Sequence, residues 1–160
     1  MMFFRRRRPL NVILFTSTFS NESTLLEVTL KLGLILRSLL IFRVDTLYWV
    51  VDEEKYKDVI ADVTEYALKP PYLKKRVPKK SSLRFVGLLP PFILPIYDIV
   101  RGGAEGEIRL VEGGEAGLSK KINRPNGLYL LTNNLDLTLR KYDNSAYYTG
   151  FSTEFIDKRE

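Results

Sequence analysis

The side chains of this 160-residue chain that are suited to chemistry are mostly cations, and they are clustered. Arg5, Arg6, Arg7 and Arg8 form an unbroken basic run ahead of Pro9. Lys74, Lys75, Arg76, Lys79, Lys80 and Arg84 crowd the middle of the chain, and Lys120, Lys121 and Arg124 follow a glycine-rich stretch. Lysine and arginine at this density neutralise phosphates and release counterions whatever the base sequence, so the expected partner is an anion such as RNA, DNA or an anionic membrane surface. Tyr72, Tyr147 and Tyr148 stand near these cations. An exposed tyrosine stacks on an unpaired base at about 1–3 kcal/mol, whereas a buried one completes a core, and the sequence leaves both readings open.

The composition also excludes chemistry. With no Cys there are no disulfides, thiolate nucleophiles or cysteine-held metals, and with no His the Ser-His-Asp arrangement and most catalytic zinc sites are ruled out. The formal net charge of +6 and a pI near 9.5 favour a polyanionic partner. Asp58, Asp62 and Glu65 share one face of an expected helix. A solvated acidic face is the more economical reading of them than a cation site.

The elements that position these groups follow from hydrophobic pattern. Leu10 to Phe15 reads as a buried strand, and a helix capped by Ser23 follows. Gly33 within that helix costs about 1 kcal/mol against Ala, which predicts close approach by another backbone. Val44 to Val51 is rich in β-branched and aromatic residues and reads as a second strand. A helix with acidic residues at its start follows, closed by Pro70-Pro71. The alternating run Leu83 to Leu89 reads as a third strand, stopped by Pro90-Pro91, whose nitrogens donate nothing to a ladder. Strand and helix alternating in this order predict a parallel α/β sheet.

Beyond Tyr97 the chain changes character. The glycines of "RGGAEGEIRLVEGGEAG" match neither dinucleotide-binding nor P-loop spacing and read as β-turns. "GLYLLT" and "LDLTLRKY" flank Asn133-Asn134 as an expected hairpin. The predicted organisation is a basic arm over 1–9, an α/β half-domain over 10–100, a small antiparallel β insert over 101–146 and a return segment over 147–160. The apolar core after the N-terminal arginines is too short for a secretion signal, and charges interrupt the apolar stretch from Leu25 to Val51. A cytoplasmic location without a membrane partner is expected.

"LILRSLLIFRVDTLYWVVDE", "KPPYLKKRV" and above all "LRFVGLLPP" resemble, in order and spacing, the SPOUT-class RNA methyltransferases that carry an oligonucleotide-binding-like barrel inserted in the catalytic domain. "VEGGEAGLSKK" is similar to the strand and turn of that insert, with Gly117, Leu118 and Lys120 at the matching positions. After the diproline, Pro95 is kept, while Ile96 and Tyr97 stand where the family carries a histidine pair. The resemblance implies a partial SPOUT-like parallel sheet with flanking helices plus a small barrel-like insert. It places the family's S-adenosylmethionine-binding trefoil knot after the return point near residues 147–151, where few residues follow. The expectation is therefore a non-catalytic RNA-binding protein with no cofactor, held in the ribosome among ribosomal RNA and neighbouring proteins or in another RNA–protein assembly. The alternative is an RNA methyltransferase whose knotted half, with S-adenosylmethionine, is supplied elsewhere. A homodimer covering exposed sheet surface is a further expectation.

Overall fold

The computed structural model describes residues 4–92, 94, 106–133, 136–143 and 146–159. Pro95, Ile96, Tyr97 and Asn134 lie outside the described residues. The chain divides into two compact units, each of which draws on separated segments. One comprises Arg6–Leu68, Lys79–Phe92 and Gly150–Glu160. The other comprises Met1–Arg5, Lys69–Pro78 and Ile93–Thr149.

The first unit is built on a three-stranded parallel sheet in the order β1 (Asn11–Phe15), β2 (Thr46–Val51), β6 (Ser152–Asp157). Asn11 stands beside Thr46 and Thr46 beside Ser152, with the register continuous from there. Helix α1 (Leu25–Ile41) joins β1 to β2, and α2 (Lys57–Leu68) follows β2. Both crossovers step along the sheet in one direction, so right-handed connection lays both helices on the same face. That face carries Leu47, Trp49 and Val51, all buried. The Phe19 ring lies 5.8 Å from those of both Trp49 and Tyr56. Each such side chain removed from water stabilises the unit by about 1.5–3 kcal/mol.

On the opposite face every position is exposed or half-buried: Asn11, Ile13 and Phe15 on β1, Thr46, Tyr48 and Val50 on β2, and Ser152, Glu154 and Ile156 on β6. Ile13 keeps 61% and Phe15 50% of its surface in solvent. A parallel sheet is normally covered on both faces, so this apolar surface is unusual.

Several expectations need correction. The cap of α1 is Thr24, one residue after Ser23. Its Oγ1 accepts from the Glu27 N–H at 3.2 Å, and the Glu27 carboxylate accepts in return from the Ser23 N–H at 3.2 Å. Residues 83–89 form no strand. They run through short 3-10 turns at Ser81–Leu83 and Val86–Leu88, and the third parallel strand comes from Ser152–Asp157. The close neighbour of Gly33 is the Leu89 side chain rather than a backbone: a Cβ on Gly33 would collide with Leu89 Cδ2.

The second unit holds a three-stranded antiparallel sheet in the order β3 (Ile108–Val111), β4 (Gly127–Asn133), β5 (Thr138–Lys141). Val111, Ala116, Tyr129, Leu131 and Leu139 form its core, with Leu118 and Ile122 packed against it. Between β3 and β4 the chain reverses tightly at Glu112 to Glu115, where each residue's N–H donates to the other's carbonyl, at 3.1 and 3.0 Å. Gly113 and Gly114 take φ of 56° and 81° there, the conformation of a two-residue type I′ turn.

Among the described residues no helix is long and apolar enough to cross a membrane. The architecture is thus mixed α/β, with a parallel sheet and a separate antiparallel sheet.

Candidate nucleic-acid interface

Residues Lys69–Pro78 belong to the antiparallel unit although the sequence groups them with the α/β half. A 3-10 segment, Pro71–Arg76, carries Lys74, Lys75 and Arg76 and is fastened to the sheet along its length. The Tyr72 hydroxyl donates to the Leu110 carbonyl and accepts from the Leu110 N–H, each at 3.0 Å. Lys69 pairs with Glu112, and Lys75 Nζ lies 3.4 Å from Glu115 Oε1. The Arg76 guanidinium lies against Gly113, where any Cβ would displace it. Beneath this segment Arg109 is fully buried, paired with Glu107 and 5.8 Å from the Tyr72 ring centre.

This fastening brings two expected RNA-binding groups together. Tyr72, Lys75, Glu115, Gly117, Lys120 and Lys121 border one pocket of about 190 Å³, with Ala116, Leu118 and Ser119 completing its wall. Lys75, Lys120 and Lys121 are all exposed; Lys120 and Lys121 offer their ammonium groups to an anion, while that of Lys75 is shared with Glu115. Lys74 is half-buried, and burial pushes its ammonium below the usual lysine range. The loop can lie on Tyr72 because residue 117 is glycine: at its φ of 69° a Cβ would come 2.6 Å from Tyr72 Cδ1 and 2.9 Å from Arg109 Nη1.

The other basic residues are arranged differently. Lys79, Lys80 and Arg84 lie in the parallel-sheet unit. Lys80 donates to Asp62 Oδ1 at 2.8 Å and Ser82 donates to Asp62 Oδ2 at 2.7 Å. The bond to Asp62 raises the Lys80 pKa. Burial pulls Asp62 upward, but the bonds from Lys80 and Ser82 outweigh it and leave Asp62 below the usual carboxylate value. Arg84 stacks its guanidinium 5.2 Å from the Phe85 ring centre. Arg124 donates to the Leu139 carbonyl at 3.2 Å and so braces β5.

The N-terminal arm is anchored at its start. Phe4 stacks on Tyr147 with ring centres 5.3 Å apart, and the Arg5 N–H donates to the Ala146 carbonyl at 2.9 Å. Arg6 donates to the Phe42 carbonyl at 3.3 Å, while Arg7 and Arg8 are exposed. Of the three tyrosines, Tyr148 is fully buried and cannot stack on a base. Tyr147 is engaged by Phe4, and Tyr72 forms a pocket wall. Glu115 was not singled out from the sequence, because a glutamate between turn glycines carries no local sign of lining a pocket.

No family model matches the chain. Two curated relatives are similar over part of it. An uncharacterized protein of Haloarcula marismortui is 36% identical over 92 residues, which is 54% of this chain and 32% of the relative. An uncharacterized protein of Halobacterium salinarum is 31% identical over 88 residues, 52% of this chain and 31% of the relative. The chain thus spans about a third of the length of these relatives.

Proposed function

We propose that this chain is an RNA-binding protein built on the SPOUT methyltransferase plan, with its antiparallel unit corresponding to the barrel-like insert of that family. It acts as a stable, non-catalytic component of the ribosome or of another RNA–protein assembly. The observation that carries the reading is the gathering of Lys75, Lys120 and Lys121, from two distant stretches of chain, around one pocket on a braced antiparallel sheet. Exposed ammonium groups on a rigid frame suit a phosphate backbone, because little side-chain order is lost beyond the lysines themselves.

A low-salt sucrose gradient of cell extract tests the assembly role. The protein is expected to travel with ribosomal or other RNA-containing particles and to leave them as salt rises. Migration as a free protein at every salt concentration, with no salt-dependent affinity for purified RNA, would refute the reading.

The uncovered face of the parallel sheet favours a second reading, an RNA methyltransferase completed by a cofactor-binding half from elsewhere. Micromolar binding of S-adenosylmethionine by the purified chain, measured by calorimetry, would overturn the non-catalytic reading.

A further inference from the structure

The basic pocket carries more positive charge than its own residues offset. Lys75, Lys120 and Lys121 border it with one carboxylate, Glu115, and that carboxylate is already shared with Lys75 at 3.4 Å. Lys120 and Lys121 are exposed and enter no ion pair among the described residues. The surplus at the site is therefore the two charges of Lys120 and Lys121.

The wall beside these lysines adds donors without formal charge. Gly117 takes φ of 69° between Ala116 and Leu118, whose φ values are negative. Such a reversal of sign turns successive backbone N–H groups toward a common concavity, the arrangement that receives anions in backbone nests. The N–H groups of Gly117, Leu118 and Ser119 meet no acceptor among the described residues, and all three residues line the pocket. The frame is stiff, since the Tyr72 wall is fixed by its hydroxyl bonds to Leu110. At about 190 Å³ the pocket is smaller than the ~300–1,000 Å³ sites that take drug-sized ligands. It suits a small, multiply charged oxyanion.

We propose that the pocket holds one dianionic phosphate group, the terminal phosphate of an RNA strand, with Lys120 and Lys121 as its counter-ions and the backbone N–H groups of residues 117–119 as further donors. This rests on the RNA-binding reading and makes a strand end the preferred ligand. A terminal phosphate carries about −1.5 to −2 charges at neutral pH and three strong acceptor oxygens. A phosphate inside a strand carries a single charge and leaves one of the two ammonium groups unmatched. Inorganic phosphate shares the chemistry of the strand end but lacks the neighbouring phosphates that the other cations of the unit attract.

The test is fluorescence anisotropy of the full chain, at several salt concentrations, with hexauridylates that carry a phosphate at one end or the other and a label opposite. A labelled, hydroxyl-ended octauridylate of equal total charge is the control. A phosphate-ended strand is expected to bind about tenfold tighter than the control. Inorganic phosphate at millimolar concentration and constant ionic strength should remove that advantage and leave binding of the control unchanged. Lys120→Ala with Lys121→Ala is expected to lose the preference, while circular dichroism melting matches the parent because both side chains are exposed. Salt-dependent binding with equal affinity for phosphate-ended and control strands would overturn the inference and leave the RNA-binding reading standing, as would a preference that survives in the double variant. Calorimetric binding of inorganic phosphate without any preference among strands would assign the pocket to the free anion and overturn the inference too. Absence of salt-dependent binding to any strand would overturn both.

Discussion

Gly117 shows how one residue holds the interface together. Its φ of 69° already disfavours any side chain, and an added methyl would meet a tyrosine that is pinned at its hydroxyl and an arginine that is buried. Neither neighbour is free to yield, so strain and overpacking add. Gly117→Ala is expected to destabilise the protein by about 2–3 kcal/mol in urea unfolding. Carboxylates at the turns make a second residue-scale prediction. Asp52 is held below the usual carboxylate range, chiefly by its hydrogen bonds from Ser17, with Thr16 adding another, and Asp62 is lowered as described above. A carboxylate whose folded pKa is depressed contributes stability above its unfolded pKa and loses it as pH falls through the folded value. Stability should therefore decline as pH drops below about 4, and the paired substitutions Asp52→Asn and Asp62→Asn should flatten that acid limb in pH-dependent thermal melts. Charge identity was legible from the sequence at this scale, but engagement was not. Lys80 and Arg124 look as available as Lys120 until Asp62 and the Leu139 carbonyl are placed beside them. The measurable consequence is that Lys75→Ala, Lys120→Ala and Lys121→Ala together should reduce the salt slope of RNA binding by about 2. Lys80→Ala and Arg124→Ala together should leave it unchanged.

Among the elements, β1, α1, β2 and α2 fall close to where hydrophobic period places them, although β1, expected to be buried, only half-buries Val12 and Leu14 while the other three bury one face by a purely local pattern. The exception is the run from Leu83 to Leu89. Its alternation suits a strand, yet a short apolar run is also compatible with turns. Its energetic role is met by Leu89, which projects onto α1 at Gly33, the position where the helix lacks a side chain. The true third strand, β6, is weakly apolar and is fixed by register with a strand about a hundred residues earlier. Local pattern carries no such information. The Gly33–Leu89 contact makes a coupling prediction. Leu89→Ala should cost about 1–2 kcal/mol, since this side chain is only half-buried. Gly33→Ala added to that variant should regain up to about 1 kcal/mol, because the new methyl enters vacated space and alanine favours the helix. A double-mutant cycle in urea reads the coupling directly, and additive effects would show that the contact is energetically idle.

On the scale of the whole molecule, charge and exposed apolar surface occupy different places. The lysines of the pocket lie in the antiparallel unit, whereas the open face of the parallel sheet offers Ile13, Phe15, Tyr48, Val50 and Ile156 with Glu154 as its one charge. A polyanion gains nothing from such a face, and burying the half or so of Ile13 and Phe15 that is still in solvent would gain about 1 kcal/mol for each. Self-association through this face is the expectation for the free protein, since β1 is also an edge of the sheet and is open to a second copy. Sedimentation velocity should show a weight-average mass rising with concentration above the 18.5 kDa of one chain. Ile13→Lys with Phe15→Glu should abolish that rise while shifting unfolding free energy by only about 1–2 kcal/mol, because both side chains are already half or more in solvent. Salt separates this contact from RNA binding. Apolar burial is insensitive to moderate salt or strengthened by it, while the phosphate contacts proposed for Lys75, Lys120 and Lys121 would weaken steeply. A species of constant single-chain mass at all concentrations would show that the face needs no second copy.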